Sequence, residues 1–258
     1  MISFMTANYV AREVGYAMHG WGHGDRATNE AFAPIGTYPQ KIDALFADVR
    51  ALGFDAVDIW GAHLSPDWAT DAHVEACVDA LARHGLTATT YATWVGPANV
   101  ERSCELTLAL DTTIIGGGFS GDPETLAPTL EKYGVRLGIE NHPERTPAEV
   151  LAKIERGGES FGATIDTGWW GTQGYDAPRA IEELREHLLH VHLKDVLALD
   201  EPHETCRWGE GIVPIEECVR TLQRLGYEAS IAVEHEPETS DPTDDVRAMR
   251  VELEGWLA

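Results

Sequence analysis

Short apolar runs alternate with longer amphipathic stretches along almost the whole chain. The runs are bounded by turn-forming residues and predict buried strands at Ile2–Ala7, Ala56–Trp60, Thr87–Ala92, Thr113–Gly116, Arg136–Asn141, Gly162–Asp166, Leu188–Leu193 and Ala229–Glu234. In the longer stretches apolar residues recur every three to four positions, the period of a helix with one buried face. They predict helices at Tyr38–Leu52, Asp67–His84, Val100–Leu110, Pro123–Tyr133, Pro147–Arg156, Ala177–His187, Ile215–Leu225 and Thr243–Trp256. Strands that alternate with helices form a parallel sheet, because each parallel pair needs a crossover. Eight units of roughly 32 residues use up the chain, so residues 1–258 are expected to close into one (β/α)8 barrel, the single-domain TIM-barrel architecture of the α/β class. An open doubly wound sheet would carry a glycine-rich phosphate loop after its first strand, and none follows Ile2–Ala7.

Local signals support this register. Ser65-Pro66-Asp67 and Thr146-Pro147 place a capping residue before a proline at the first helical position. Gly53, Gly85, Gly134 and Gly226 each follow a helical stripe and precede a strand, as helix-ending glycines do. Gly15–Ala33 reads as the longest irregular region and is expected to lie over the carboxyl-end mouth of the barrel.

Composition narrows the partners. Lys+Arg 19 against Asp+Glu 43 gives a net charge of −24, and the lysines are Lys41, Lys132, Lys153 and Lys194 alone. So negative a field opposes nucleic acid and anionic membranes, which demand basic surface. Acidic, lysine-poor composition also resembles that of halophilic proteins, in which concentrated salt screens self-repulsion. Cys77, Cys104, Cys206 and Cys218 show no CxxC pair and read as reduced, mostly buried thiols. No apolar stretch is long enough to span a membrane, and Met1-Ile-Ser-Phe-Met-Thr6 lacks the features of a signal peptide, so a cytoplasmic location is expected.

Chemistry concentrates at four strand ends: Glu140 in Leu137-Gly-Ile-Glu140, Asp166 in Thr164-Ile-Asp166, His192 in Leu188-Leu-His-Val-His192 and Glu234 in Ile231-Ala-Val-Glu234. In a parallel barrel, side chains at the carboxyl ends of different strands converge on one pocket. A buried carboxylate is costly unless paired or metal-bound. Two Glu, one Asp and one His form an oxygen-rich set that suits one divalent ion, Mn, Mg, Co or Zn. His190 and Lys194 share the strand face of His192, and His142 shares that of Glu140. His142 and Lys194 are therefore candidate substrate contacts. Trp21, Trp60, Trp94, Trp169 and Trp208 fall at or after strand ends, where flat apolar rings suit the C–H faces of a sugar or cyclitol; Trp94 and Trp169 are the candidates among them. His19, His23 and His63 sit in loops of the same end.

The ordered series Gly134-Val-Arg-Leu-Gly-Ile-Glu-Asn-His142, Ile165-Asp-Thr-Gly168, His190-Val-His-Leu-Lys-Asp195, Gly209-Glu-Gly211 and Ala232-Val-Glu234 resembles the xylose isomerase-like barrels, the sugar phosphate isomerase/epimerase family that includes ketose 3-epimerases and inosose dehydratases. The resemblance is clearest from Gly134 to Pro237 and weaker before it, where Leu52-Gly-Phe-Asp-Ala-Val-Asp58 carries it. It implies that Glu140, Asp166, His192 and Glu234 bind the metal. It also implies that Glu140 and Glu234 flank the substrate carbon and move its proton through an enediolate, and that Arg207 contacts substrate oxygens. The chain departs from the Asp-x-x-His pattern of the epimerase-type members, since Thr167-Gly168-Trp169 follows Asp166. An indole offers one donor and no acceptor, so either another group, such as His142 or His235, orients the substrate, or the reaction differs.

The expectation is thus a metal-dependent isomerase or epimerase of a sugar or polyol carbonyl, with a small-molecule partner and assembly into a homo-oligomer allowed. An inosose-type dehydratase would use much the same site. An abasic-site endonuclease would need further metal ligands and a basic groove, which −24 opposes. A barrel that binds metal without turnover is the remaining class.

Overall fold

A computed structural model describes residues 1–199 and 203–258. The predicted loop Asp195–Val213 contains residues 200–202, which lie outside the described residues. The strands are β1 Ile2–Met5, β2 Ala56–Trp60, β3 Thr87–Ala92, β4 Ile114–Gly117, β5 Arg136–Glu140, β6 Phe161–Asp166, β7 Leu188–Leu193, the short β8 Asp195–Val196 and β9 Thr205–Cys206, and β10 Ile231–Val233. All but β8 and β9 form a closed parallel barrel in the order β1-β10-β7-β6-β5-β4-β3-β2. The closing pair aligns Ile2 with Ile231, Ser3 with Ala232 and Phe4 with Val233. The expected eight-stranded barrel is therefore the fold. β8 and β9 pair antiparallel and extend the loop that leaves β7.

Side-chain alternation sorts the strands into two faces. Val57, Ile59, Leu137, Ile139, Ile165 and Val191 are buried on the outer face, within the core that the surrounding helices cover. The inner face is small and polar. Asp58 of β2 reaches His190 and His192 of β7, a strand that is not its neighbour, so these side chains meet inside the barrel. Gly116 and Gly138 face the same interior, where a Cβ on Gly138 would stand 2.3 Å from Thr164 Oγ1. Bulky branched residues usually fill such an interior. Here small side chains leave room for buried polar groups.

The predicted helix ends agree at the glycines: Gly53, Gly85, Gly134 and Gly226 all take positive φ (92°, 62°, 65° and 68°). Three expectations need correction. The region Gly15–Ala33 is not irregular throughout, since Trp21–Phe32 is a helix. Gly22 and Gly24 depress its helix propensity, yet Gly24 is required, because a Cβ there would lie 2.6 Å from Val10 O. The helix expected from Asp67 starts at Asp71. Thr70 caps it, with Thr70 N donating to His73 Nδ1 (3.1 Å), so His73 fills the place usually taken by Glu or Gln. Ser65-Pro66-Asp67 belongs to the turn before it. Finally, a short helix at Thr167–Thr172 follows β6 directly, and the next helix ends at Leu184 rather than His187.

The four cysteines are free and buried. Among the described residues no helix is long and apolar enough to cross a membrane.

Candidate metal centre

Glu140 is the last residue of β5, Asp166 the last of β6 and His192 the penultimate of β7. Glu234 stands one residue past β10, with its N–H still bonded to Leu193 O (3.1 Å). All four are buried, and one ligand atom from each lies within 4.8 Å of the others.

Each member is held by its surroundings. Asp166 caps the helix that follows it, since its Oδ1 accepts from Gly168 N (2.7 Å) and Trp169 N (3.1 Å). That leaves Oδ2 for the cluster. The buried Asn141 brackets the Asp166 backbone: its Nδ2 donates to Asp166 O (3.0 Å), and its Oδ1 accepts from Asp166 N (2.8 Å). Asn8 does the same around Glu234, donating to Val233 O (3.0 Å) and accepting from His235 N (2.7 Å). His192 Nδ1 lies 2.8 Å from Glu140 Oε1 and 3.2 Å from Glu234 Oε2, while its Nε2 lies 2.9 Å from Asp58 Oδ2.

Lys194 enters the same cluster with its ammonium among three carboxylates. Its Nζ is 3.0 Å from Asp166 Oδ2, 3.2 Å from Glu234 Oε1 and 2.9 Å from Glu236 Oε2. Burial opposes the charged forms of His192 and Lys194, yet the carboxylates outweigh it and hold both well above their usual ranges. Burial and the nearby Glu234 push Glu236 well up. Burial also raises Asp166, reinforced by Glu234 and Glu140 against the pull of Lys194. For Glu234 burial acts upward, but Lys194 and His192 overcome it and keep the carboxylate well below its usual range. Glu140 is lowered in the same way by His142 and His192 against burial.

The donors fit a divalent cation. The buried Asp58, Glu140, Asp166 and Glu234 and the part-buried Glu236 bring five carboxyl groups together around Lys194 and His192, a set short of positive charge. Glu234 Oε2 and Asp166 Oδ2 are buried without an aligned hydrogen bond among the described residues. Three carboxylates and one imidazole would hold such an ion through hard donors.

The structure treats the remaining predicted contacts unequally. His142 lies beside the cluster, with Nε2 3.7 Å from Glu140 Oε2 and its ring edge-on to Trp169 (5.2 Å). Trp169 stacks face to face on His203, at 3.9 Å and 6°. Lys194 engages Asp166, Glu234 and Glu236, not Asp195. The Asp195 oxygens instead accept from Val196 N, Gly209 N, Gly211 N and Val213 N, which fixes the loop after β7. Arg207 of that loop is paired with Glu252 (2.8 Å) in the C-terminal helix and is not in the cluster. Trp94 is exposed and lies over Gly118. Trp208 is buried against Trp256. His63 is buried, bonds to Thr6 Oγ1 (3.1 Å) and is pushed down to about 3, first by burial and then by Arg12 and Lys41. His235 is lowered to about 4, chiefly by burial. His19 and His23 stack on each other at 5.5 Å.

Sequence reasoning missed Asn8, Asn141 and Glu236, and gave Asp58 no role. Each asparagine directly follows a predicted strand run or ends one, which is the signal that was there. Asp58 is a carboxylate inside the apolar run Ala56-Val-Asp-Ile-Trp60, the same kind of signal that marked Asp166.

A family model described as xylose isomerase-like TIM barrel matches residues 123–256, just over half of the chain. No curated protein matches the sequence. Solved structures share the fold at low identity. The probable 3-DHS dehydratase AsbF of Bacillus anthracis superimposes with a TM-score of 0.71 at 14% identity, covering 100% of this chain and 98% of its own. A xylose isomerase domain protein of Planctomyces limnophilus gives 0.71 at 16% identity, over 81% and 91%. The D-psicose 3-epimerase of Clostridium cellulolyticum H10, solved with D-tagatose, gives 0.67 at 16% identity, over 83% and 93%.

Proposed function

We propose, from the premise that this chain belongs to the xylose isomerase-like TIM barrel family, that it is a divalent-metal-dependent isomerase or epimerase of a sugar or related polyol carbonyl. The observation that carries this reading is the convergence of Glu140, Asp166, His192 and Glu234 at the carboxyl ends of four strands, with ligand atoms within 4.8 Å. A fold shared with a D-psicose 3-epimerase supports it.

Bound by these four residues, a divalent ion supplies Lewis-acid polarisation of a carbonyl and its neighbouring hydroxyl. Glu140 and Glu234 come from strands separated in the barrel by β6 and β7, so they approach a substrate carbon from different sides. One carboxylate takes the proton next to the carbonyl and the other returns a proton to the resulting enediolate, which inverts or relocates the centre. Asp166 stays fixed through its backbone-bonded Oδ1. Lys194 turns from the carboxylates to a substrate oxygen, and His142 and Trp169 face the ring. Arg207 and Trp94 complete the proposed contacts, for which Arg207 leaves Glu252. The small-molecule substrate follows from this reading, and −24 weighs against nucleic acid. Four buried free thiols suit a reducing cytoplasm.

Dehydration is the second reading, favoured by Trp169 in place of a substrate-orienting histidine. There one of the two glutamates removes the proton and a β-hydroxyl leaves as water, taking a proton from the other. The test is solvent-deuterium incorporation beside the carbonyl, measured on protein loaded with Mn2+, Co2+, Mg2+ or Zn2+ against panels of ketoses and inososes. Incorporation with retention of all hydroxyls supports isomerisation, and loss of water supports dehydration. Bound metal with no exchange on any substrate would overturn both.

A further inference from the structure

Directly beneath the metal ligands, a line of buried polar groups crosses the barrel. Ser230 Oγ, just before β10, lies 2.8 Å from His190 Nδ1. His190 Nε2 lies 2.8 Å from Asp58 Oδ2, and the same oxygen lies 2.9 Å from His192 Nε2. Asp58, His190 and His192 are wholly buried. The two imidazoles stand at 83° to each other with centroids 4.9 Å apart. Both nitrogens approach one shared carboxylate oxygen at hydrogen-bond distance, so Asp58 Oδ2 accepts from both imidazoles.

We infer that Asp58, pinned by His190 and Ser230, is a positioning residue that presents His192 Nδ1 to the metal, an inference that rests on the metal-dependent reading of the site. A carboxylate only accepts, so the hydrogen between His192 and Asp58 belongs to Nε2. With Nε2–H held by Asp58, it is Nδ1, facing Glu140 and Glu234, that is left to give up its hydrogen and bind a metal ion. Asp58 thus sets both the tautomer and the ring angle of the nitrogen-donating ligand. On its own Asp58 could rotate away. The second imidazole on the same oxygen, tied in turn to Ser230, blocks that rotation. Strands β2, β7 and the start of β10 are thereby joined through the barrel interior into one support. A three-oxygen site without this support would still attract oxygen-loving ions but would lose its grip on those that favour imidazole.

The experiment measures Zn2+ and Mn2+ binding to the whole protein by competition titration. The variants are Asp58→Leu, which keeps the branching and removes the acceptor, Asp58→Asn, which keeps an acceptor oxygen, and Ser230→Ala. Loss of a group that orients a metal-bound histidine weakens binding by about 10–100-fold. Asp58→Leu is expected to lose Zn2+ affinity on that scale and Mn2+ affinity by clearly less, and Asp58→Asn to recover most of the Zn2+ loss. Ser230→Ala leaves every group at the site in place and shifts the Zn2+/Mn2+ ratio in the same direction by a smaller factor; it decides the matter if Asp58→Leu does not fold. Equal losses of both ions, or an unchanged ratio in Asp58→Leu and Ser230→Ala, would overturn the inference while leaving the metal site standing. An unaltered protein that binds neither ion would overturn the metal reading itself, and the positioning role with it.

Discussion

At the scale of single residues, the account turns on two glutamates that are asked both to bind an ion and to carry a proton. Glutamine keeps the size and one oxygen of each but cannot take up a proton at neutral pH. Glu140→Gln and Glu234→Gln are therefore expected to fold, to retain part of the metal affinity and to lower turnover by about 10²-fold or more, the usual contribution of general acid–base catalysis. Deuterium exchange beside the carbonyl reads this directly, and wild-type exchange in both variants would end the two-glutamate mechanism. Glu140, Asp166, His192 and Glu234 were legible in the sequence because each is a polar group closing a run that is otherwise apolar. Asp58 carried the same signal, but its role depends on β2 facing β7 across the barrel, a contact 134 residues apart that no local pattern encodes. The Arg207–Glu252 pair and the stack of Trp169 on His203 are long-range in the same sense.

At the scale of elements, strands and helices were legible wherever period and punctuation agreed, and lost where a tertiary contact overrode propensity. Trp21–Phe32 shows the conflict most clearly. By propensity alone, Gly24→Ala should stabilise that helix by about 1 kcal/mol. The new Cβ, however, would sit 2.6 Å from Val10 O and 2.5 Å from Met18 Sδ. The methionine can move, but the backbone carbonyl cannot without displacing the turn after β1. Overpacking of this kind costs about 1–3 kcal/mol, so the clash wins. Thermal unfolding of Gly24→Ala is expected below that of the unaltered protein, and a higher melting temperature would show that the turn yields. The late start of the helix at Asp71 has a related cause: His73 does the work of a capping Glu, which a search for the usual residues passes over.

At the scale of the whole molecule, 43 acidic against 19 basic side chains leave a repulsion that pairing cannot remove. Salt acts in two directions. It weakens surface ion pairs such as Arg156 with Asp122 and Glu124, which contribute little because solvent already screens them. It also screens the net repulsion, which is longer-ranged when the Debye length is about 30 Å at 0.01 M. With a net charge of −24 the second effect dominates, and the melting temperature is expected to rise from low to molar KCl. A flat or falling curve would remove the halophilic reading. The barrel mouth of each chain is proposed to hold one divalent ion on four side chains. The most direct test is metal content per chain after dialysis against a divalent ion, for the unaltered protein and for Asp166→Ala and His192→Ala. One ion per unaltered chain is expected, with an affinity lowered by about an order of magnitude or more in each variant, since each removes a direct bond. Full occupancy in both variants at the same free-metal concentration would contradict the proposal.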